Sequence, residues 1–127
     1  MAFARGSIVK RPLHGWYTRL SWILGVYWHM GIYIGEGMVV HFNGEKSSTN
    51  ARVCSDSLEV FAAGERVVLH AGPRNIRHGE AICAEALRVL HHSNNSFNNH
   101  YSFPFNNCED FCVACYEVDY ASPEGVE

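Results

Sequence analysis

The chain has 127 residues, of which 47% are hydrophobic, and carries a formal net charge of -3. A chain of this length and composition can bury one core of its own, so we expect a single domain over residues 1–127. Its Lys and Arg residues are scattered and form no basic stripe of the kind that a phosphate backbone requires, which argues against nucleic acid as a partner.

The sequence shows no sign of membrane insertion or secretion. No stretch approaches the roughly 18 apolar residues that span a bilayer, and the N-terminus lacks the basic-then-apolar order of a secretory signal. The last residues, "VDYASPEGVE", are too polar to anchor the chain, so any membrane contact would be peripheral. The odd number of cysteines, five, favours thiols in a reducing compartment over a disulfide framework. We therefore expect a cytoplasmic protein.

The first half of the chain predicts mostly strands. "GSIVKRPL" (6–13) favours a first strand, whereas "WYTRLSWILGVYW" (16–28) fits either a helix or a strand. "HMGIYIGEGMVVHF" (29–42) predicts a β-hairpin with a three-residue turn, Gly35 to Gly37. "SDSLEVFAAG" then predicts a short helix that begins at Asp56 or Ser57 and ends at Gly64, and "ERVVLHA" predicts a strand.

The second half predicts two helices separated by a loop. "RHGEAICAEALRVLHH" (77–92) has apolar residues at helical spacing, and Cys83 among them is interpreted as a core residue. "HHSNNSFNNHYSFPFNN" (91–107) predicts an ordered loop, and a last helix is predicted from Asn107 to about Val118. Because strands and helices are segregated along the chain, the sequence indicates an α+β fold with a small antiparallel sheet packed against helices.

The predicted hairpin carries a histidine near each end. With an odd turn, His41 lies opposite Gly31, and His29 and His41 share one face because alternate side chains of a strand point to opposite faces. Their backbones are then roughly 7–8 Å apart on the diagonal, within reach of two rings. Either histidine alone is compatible with a half-buried structural role, so the pair needs a third group before it indicates catalysis.

Cys108 at the start of the last helix is a candidate for that third group. Asn106 or Asn107 can cap this helix, and the backbone N–H groups and dipole of a first turn favour a thiolate. Glu109 and Asp110 work against ionisation of the thiol, which a nearby imidazolium would restore.

The two remaining cysteines of this helix, Cys112 and Cys115, are interpreted as core thiols. The Cys-x-x-x-Cys-x-x-Cys spacing also occurs in iron–sulfur enzymes, but three thiolates on one regular helix do not converge on a cluster. A zinc site formed by Cys108, Cys112 and a histidine would lack a second Cys-x-x-Cys pair. We therefore predict no metal and no cofactor.

Taken together, these motifs resemble those of the lecithin:retinol acyltransferase-like family. "YWHMGIYIGEGMVVHF" matches the histidine box of that family, with its two histidines twelve residues apart, and "NNCEDF" matches its Asn-Cys motif. Between them, "SLEVFAAGERVVLHA", an amphipathic helix and "YSFPFNNCEDF" follow the order of the family over most of residues 5–120. The resemblance implies a circularly permuted relative of the NlpC-type papain-like fold.

The resemblance also implies a mechanism. On the family pattern Cys108 is the nucleophile, His29 is its general base, and His41 orients and charges His29. Backbone N–H groups at the start of the Cys108 helix would hold the oxyanion. The implied activity is a thiol hydrolase or acyltransferase that acts on an acyl ester or amide, with lipid acyl esters favoured over peptide or isopeptide bonds.

Two features depart from this pattern. Animal members carry a hydrophobic anchor after the cysteine helix, and Asp110 stands here where histidine is usual, which would raise the pKa of the thiol. A compact domain of this kind is also similar to the H-box/NC 2A proteins of some picornaviruses, in which "GVE" would be a protease junction. That alternative implies a weak or inactive enzyme in the host cytoplasm, which acts in replication by binding host or viral proteins.

Overall fold

The structure is a computed structural model that describes residues 3–12, 28–43, 51–92, 94–95, 97–98 and 108–120. Most of the ambiguous segment 16–28, the capping positions 106 and 107, most of the loop 91–107 and the final "GVE" lie outside the described residues. The predictions for those segments therefore stay predictions.

The described residues form an α+β fold, as predicted, with five strands and three helices. The strands are β1 (Ile8–Pro12), β2 (Trp28–Gly35), β3 (Met38–Asn43), β4 (Arg52–Ser57) and β5 (Val68–Ala71). The helices are α1 (Leu58–Ala62), α2 (Ile76–Leu90) and α3 (Cys108–Tyr116).

The strands form one antiparallel sheet in the order β4-β3-β2-β1-β5. Strand β4 was not among the predicted elements. Its sequence, "RVCSDS", contributes only Val53 to the buried hydrophobic residues, so it lacks the apolar content that marks a strand. Pairing along the whole of β3 selects the extended conformation here, since tertiary context overrides weak local preference.

The hairpin of β2 and β3 has the predicted register. Gly31 pairs with His41, and Ile32 pairs with Val40. A shift of one residue would have moved every side chain to the other face of the sheet, so this agreement fixes which residues meet at the site.

The predicted three-residue turn of this hairpin is wrong. The loop consists of Glu36 and Gly37, and Gly35 pairs with Met38. Both loop residues have positive φ, 53° and 75°, as a two-residue turn of the I′ type requires. A bulge between Tyr33 and Gly35 compensates for the shorter turn, which is why the register is still the predicted one.

The two faces of the sheet have different neighbours. The face that packs against α2 and α3, here called the helical face, belongs to the larger hydrophobic cluster, which includes Ile32, Val40, Phe42, Ile82 and Phe111. The opposite face, called the Phe61 face, has a smaller cluster made of Val9, Tyr33, Val39 and Phe61 of α1. Because Gly31 and His41 alternate with Ile32 and Val40, the histidines lie on the Phe61 face.

The helices begin close to their predicted starts. Ser57 caps α1 by accepting a hydrogen bond from the N–H of Val60, and Ala63 ends the helix in a left-handed conformation just before Gly64. Asn75 caps α2 in the same way. None of the helices within the described ranges is long and apolar enough to cross a membrane.

Candidate functional site

His29 of β2 and His41 of β3 are in hydrogen-bond contact. The distance between His29 Nε2 and His41 Nδ1 is 2.9 Å, and the rings meet edge to face with their centroids 5.0 Å apart. Their exposed fractions are 0% and 3%. The prediction that these two imidazoles share a face and approach each other is confirmed.

Phe61 and Gly31 determine how the two rings are packed. The ring of Phe61 stacks on His29 at 5.3 Å and meets His41 edge-on at 5.2 Å. Gly31 provides the space that the rings occupy because it has no side chain. A Cβ at this position would lie 3.0 Å from Phe61 Cε1 and 3.1 Å from the Cβ of His41, closer than ordinary van der Waals contact. The apolar cover and the missing side chain together hold the imidazoles in one arrangement.

Arg11 holds in place helix α1, which carries Phe61. It pairs with His29 across strands β1 and β2 and is 3% exposed. Its guanidinium donates hydrogen bonds to the carbonyls of Phe61 and Pro12, both at 2.8 Å. The end of α1 is thereby tied to the strand that borders β2.

Asp56 of β4 extends the histidine pair to a third group. Its Oδ2 lies 2.8 Å from His41 Nε2, and its side chain is 33% exposed. We call this set the His29–His41–Asp56 relay. The local sequence indicated Asp56 only as a possible start of a helix. A strand assignment for "RVCSDS" would have found it, because β4 pairs with β3 and places Asp56 on the face that carries His41.

The relay determines which ring nitrogens carry protons. An ionised carboxylate can only accept hydrogen bonds, so the Nε2–H of His41 donates to Asp56 and a neutral His41 accepts at Nδ1. His29 must then donate from Nε2, which leaves the lone pair of its ring on Nδ1. This nitrogen is buried. His29 therefore has the tautomer that a general base needs.

Cys108 lies in the first turn of α3, as predicted, and is 3% exposed. It packs with the hydrophobic cluster of the helical face. Its Sγ lies 3.6 Å from the carbonyl oxygen of Trp28, and that carbonyl belongs to the peptide bond that leads into His29. The sulfur is therefore next to the backbone of His29 at the start of β2. The roles of Cys108, His29 and His41 in catalysis stay a prediction.

Cys54 of β4 is a thiol in direct contact with the relay, and no sequence motif pointed to it. Its Sγ lies 3.5 Å from His41 Nε2 and 3.7 Å from Asp56 Oδ2. Burial, together with the negative charge and hydrogen bond of Asp56, raises the pKa of Cys54 to about 12. At neutral pH this group is a protonated thiol and a poor nucleophile.

The other three thiols are core residues, as predicted. Burial is the main cause that raises the pKa of Cys83, of Cys112, and of Cys115, the last to about 12. All five cysteines lie within the described residues, and none forms a disulfide.

The sequence profile of the family described as lecithin retinol acyltransferase matches residues 17–120. The match includes both histidines, Asp56 and Cys108. A comparison with curated proteins finds no match.

Proposed function

Because the chain belongs to the lecithin retinol acyltransferase family, we propose that it is a thiol-dependent hydrolase or acyltransferase. The family name indicates acyl transfer. The observation that carries the proposal is the 2.9 Å contact between His29 and His41, with Asp56 behind it, because this arrangement prepares a general base at the start of β2. Cys108 is the nucleophile in this proposal.

The reaction has two stages. Nδ1 of His29 takes the proton of the Cys108 thiol, and the thiolate attacks the carbonyl carbon of an acyl ester or amide. The tetrahedral intermediate expels the alcohol or amine, which takes the proton from His29, and a thioester remains on Cys108. Water or an amine, deprotonated by His29, then attacks the thioester, and the thiol is released with its proton.

His41 and Asp56 support the base in both stages. When His29 becomes an imidazolium, its Nε2–H continues to donate to Nδ1 of His41, so the positive charge has a partner inside a covered site. Asp56 holds His41 in the orientation that makes this possible. His41 keeps its proton and Asp56 stays ionised, so both act by positioning and charge.

We propose lipid acyl esters as the first substrate class and peptide or isopeptide bonds as the second. The choice rests on the description of the family as lecithin retinol acyltransferase, which names acyl transfer and a lipid. Encounter with lipid would take place at a membrane surface or with dispersed monomers.

Active-site labelling tests the proposal. The protein is incubated with iodoacetamide or a reactive acyl ester at several pH values, and the modified cysteine is identified by peptide mass spectrometry. We expect selective labelling of Cys108 near neutral pH, and a fall in its rate of roughly 10²-fold to 10⁴-fold in His29→Ala. Cys83→Ser, which replaces a buried thiol of α2 whose sulfur contacts the carbonyl of Tyr33, should label like the wild type.

Two results would contradict the proposal. Labelling of Cys54 in place of Cys108 would assign the nucleophile to β4. Slow and uniform labelling of all five cysteines would instead favour the alternative of a weak or inactive enzyme that acts by binding host or viral proteins. In that protein the histidines and Cys108 would be structural remnants.

A further inference from the structure

Three side chains that can each offer a different metal-ligand atom lie close together where the relay meets the edge of the sheet. His41 Nε2, Cys54 Sγ and Asp56 Oδ2 all lie within 4.8 Å of one another. The separations are 2.8 Å between nitrogen and oxygen, 3.5 Å between sulfur and nitrogen, and 3.7 Å between sulfur and oxygen. His41 and Cys54 are direct partners across strands β3 and β4, so the backbone holds the set together.

These separations are close to those around a tetrahedral zinc ion. Zinc binds nitrogen and oxygen at about 2.0–2.2 Å and thiolate sulfur at about 2.3 Å, so sulfur lies about 3.6 Å from either neighbour in a tetrahedron. Nitrogen and oxygen would be about 3.3 Å apart, which requires the His41–Asp56 contact to widen by about half an ångström. A set of one nitrogen, one sulfur and one oxygen suits zinc, whereas magnesium and calcium prefer oxygen alone.

The surroundings meet two further requirements of a zinc site. A histidine that binds zinc through one ring nitrogen usually donates a hydrogen bond from the other, and His29 already stands 2.9 Å from Nδ1 of His41. The ion also needs a route from solvent. Asp56 is one-third exposed, and β4 is the outermost strand on its side of the described sheet.

We infer that His41, Cys54 and Asp56 form an inhibitory zinc site. Nε2 of His41, the thiolate of Cys54 and a carboxylate oxygen of Asp56 bind the ion, and a water takes the fourth position. The thiol of Cys54 releases its proton to solvent when the sulfur–zinc bond forms.

Inhibition follows from the tautomers, and this step rests on the proposed function. Zinc takes the lone pair of His41 Nε2, so the proton of that ring moves to Nδ1 and is donated to His29. Nε2 of His29 then accepts, and its own proton moves to Nδ1. Each ring keeps one proton, but His29 no longer has a lone pair on the nitrogen that would accept the thiol proton. A bound ion thereby removes the general base without contacting Cys108.

Cobalt(II) binding tests the site without any substrate. The full chain is treated with a chelator, freed of it, and titrated with Co²⁺, which absorbs by charge transfer when a thiolate binds it. We expect a thiolate band with the intensity of a tetrahedral centre, displaced by Zn²⁺. The band should be lost in Cys54→Ser and kept in Cys83→Ser, and Zn²⁺ affinity should fall about tenfold or more in Cys54→Ser. Absence of the band, or its loss in Cys108→Ser but not in Cys54→Ser, would overturn the inference.

Acyl hydrolysis tests the inhibitory role separately. The rate of each variant is measured with and without Zn²⁺, and a chelator is then added. We expect Zn²⁺ to inhibit the wild type and Cys83→Ser, and the chelator to restore their activity. For Cys54→Ser, the Zn²⁺ concentration that gives the same inhibition should be about tenfold higher or more. Equal inhibition of all three proteins would contradict the role. If the protein hydrolyses no acyl substrate, the proposed function fails while the cobalt result still decides whether the metal site exists.

Discussion

Asp56 is the residue that sets the protons of the relay, because its carboxylate accepts from His41 and cannot donate. Asp56→Asn replaces it with an amide that can donate to Nε2 of His41 and so favour the opposite tautomer in both rings. We expect kcat for an acyl ester to fall about tenfold to a hundredfold while KM changes little. Glu59→Gln, which neutralises an exposed carboxylate in the first turn of α1, should leave kcat unchanged.

A second readout of Asp56→Asn needs no substrate. The charge and hydrogen bond of Asp56 contribute to raising the pKa of Cys54, so the asparagine should lower that pKa and speed alkylation of Cys54 at a given pH. An unchanged alkylation rate together with an unchanged kcat would show that Asp56 does not act on the site.

At the scale of single residues, the sequence predicted the parts of the site that follow from local periodicity. His29 and His41 alternate with the core residues of one hairpin, so their shared face could be derived from strand geometry. Asp56 and Cys54 lie on a strand with little apolar content, and only its pairing with β3 brings them to the rings. The proximity of Asp56 and Cys54 to the histidines therefore depends on tertiary contacts, which a local sequence pattern does not contain.

The hairpin and α1 hold the rings as a unit, and both pack closely around Gly31. A Cβ at Gly31 would lie 2.5 Å from Cγ1 of Val39, so Gly31→Ala must displace the side chains of β3 or the ring of Phe61. We expect the free energy of unfolding in urea to fall by about 1–3 kcal/mol. Gly72→Ala, where an added Cβ meets nothing within 4 Å, is the matched control and should be close to neutral. Equal effects of the two substitutions would show that Gly31 does not limit the packing.

Among the elements, long periodic segments were predicted well and short ones less well. Helix α2 and the strands of the hairpin follow from apolar spacing, which extends over enough residues to be distinctive, whereas α3 follows from the helix-start sequence "NNCEDF". The turn was wrong by one residue because a bulge at Ile34 and a two-residue loop give the same register as an odd turn. Register is determined by burial, whereas the loop is determined by backbone angles.

The molecule as a whole separates its polar chemistry from its core thiols. The relay lies on the Phe61 face, while Cys108, Cys112 and Cys115 of α3 belong to the cluster of the helical face, and the sulfur of Cys108 reaches the strand of His29 at the carbonyl of Trp28. The α+β class could be predicted because strands and helices are segregated along the chain. The division of the sheet into these two faces was visible only within the hairpin, since the position of α1 depends on long-range contacts such as that between Arg11 and the carbonyl of Phe61.

These buried thiols predict a loss of stability at alkaline pH. Burial raises the pKa of Cys115 from 9.0 to about 12, so the folded state retains a proton that the unfolded state loses. The neutral Cys115 thiol contributes fully to the free energy of unfolding below pH 9, where the thiol of the unfolded chain is also protonated. This contribution declines as the pH rises from 9 toward 12, by about 1.4 kcal/mol per pH unit for one thiol. Urea unfolding between pH 7.5 and 10.5 measures the decline, and Cys115→Ala should make it shallower. A parallel decline in that variant would exclude Cys115 as the cause.

The relay runs from a ring with no exposed surface to a carboxylate that is one-third exposed. Dissolved ions screen charges that touch water over a length of about 8 Å at physiological ionic strength, and they have much less effect on enclosed groups. The charge of Asp56 is therefore partly screened from distant charges by the surrounding electrolyte, whereas its 2.8 Å hydrogen bond to the neutral ring of His41 and the contact between the two rings are set by the fold. Salt concentration consequently changes how strongly distant charges act on the carboxylate and leaves the hydrogen bonds of the relay as they are.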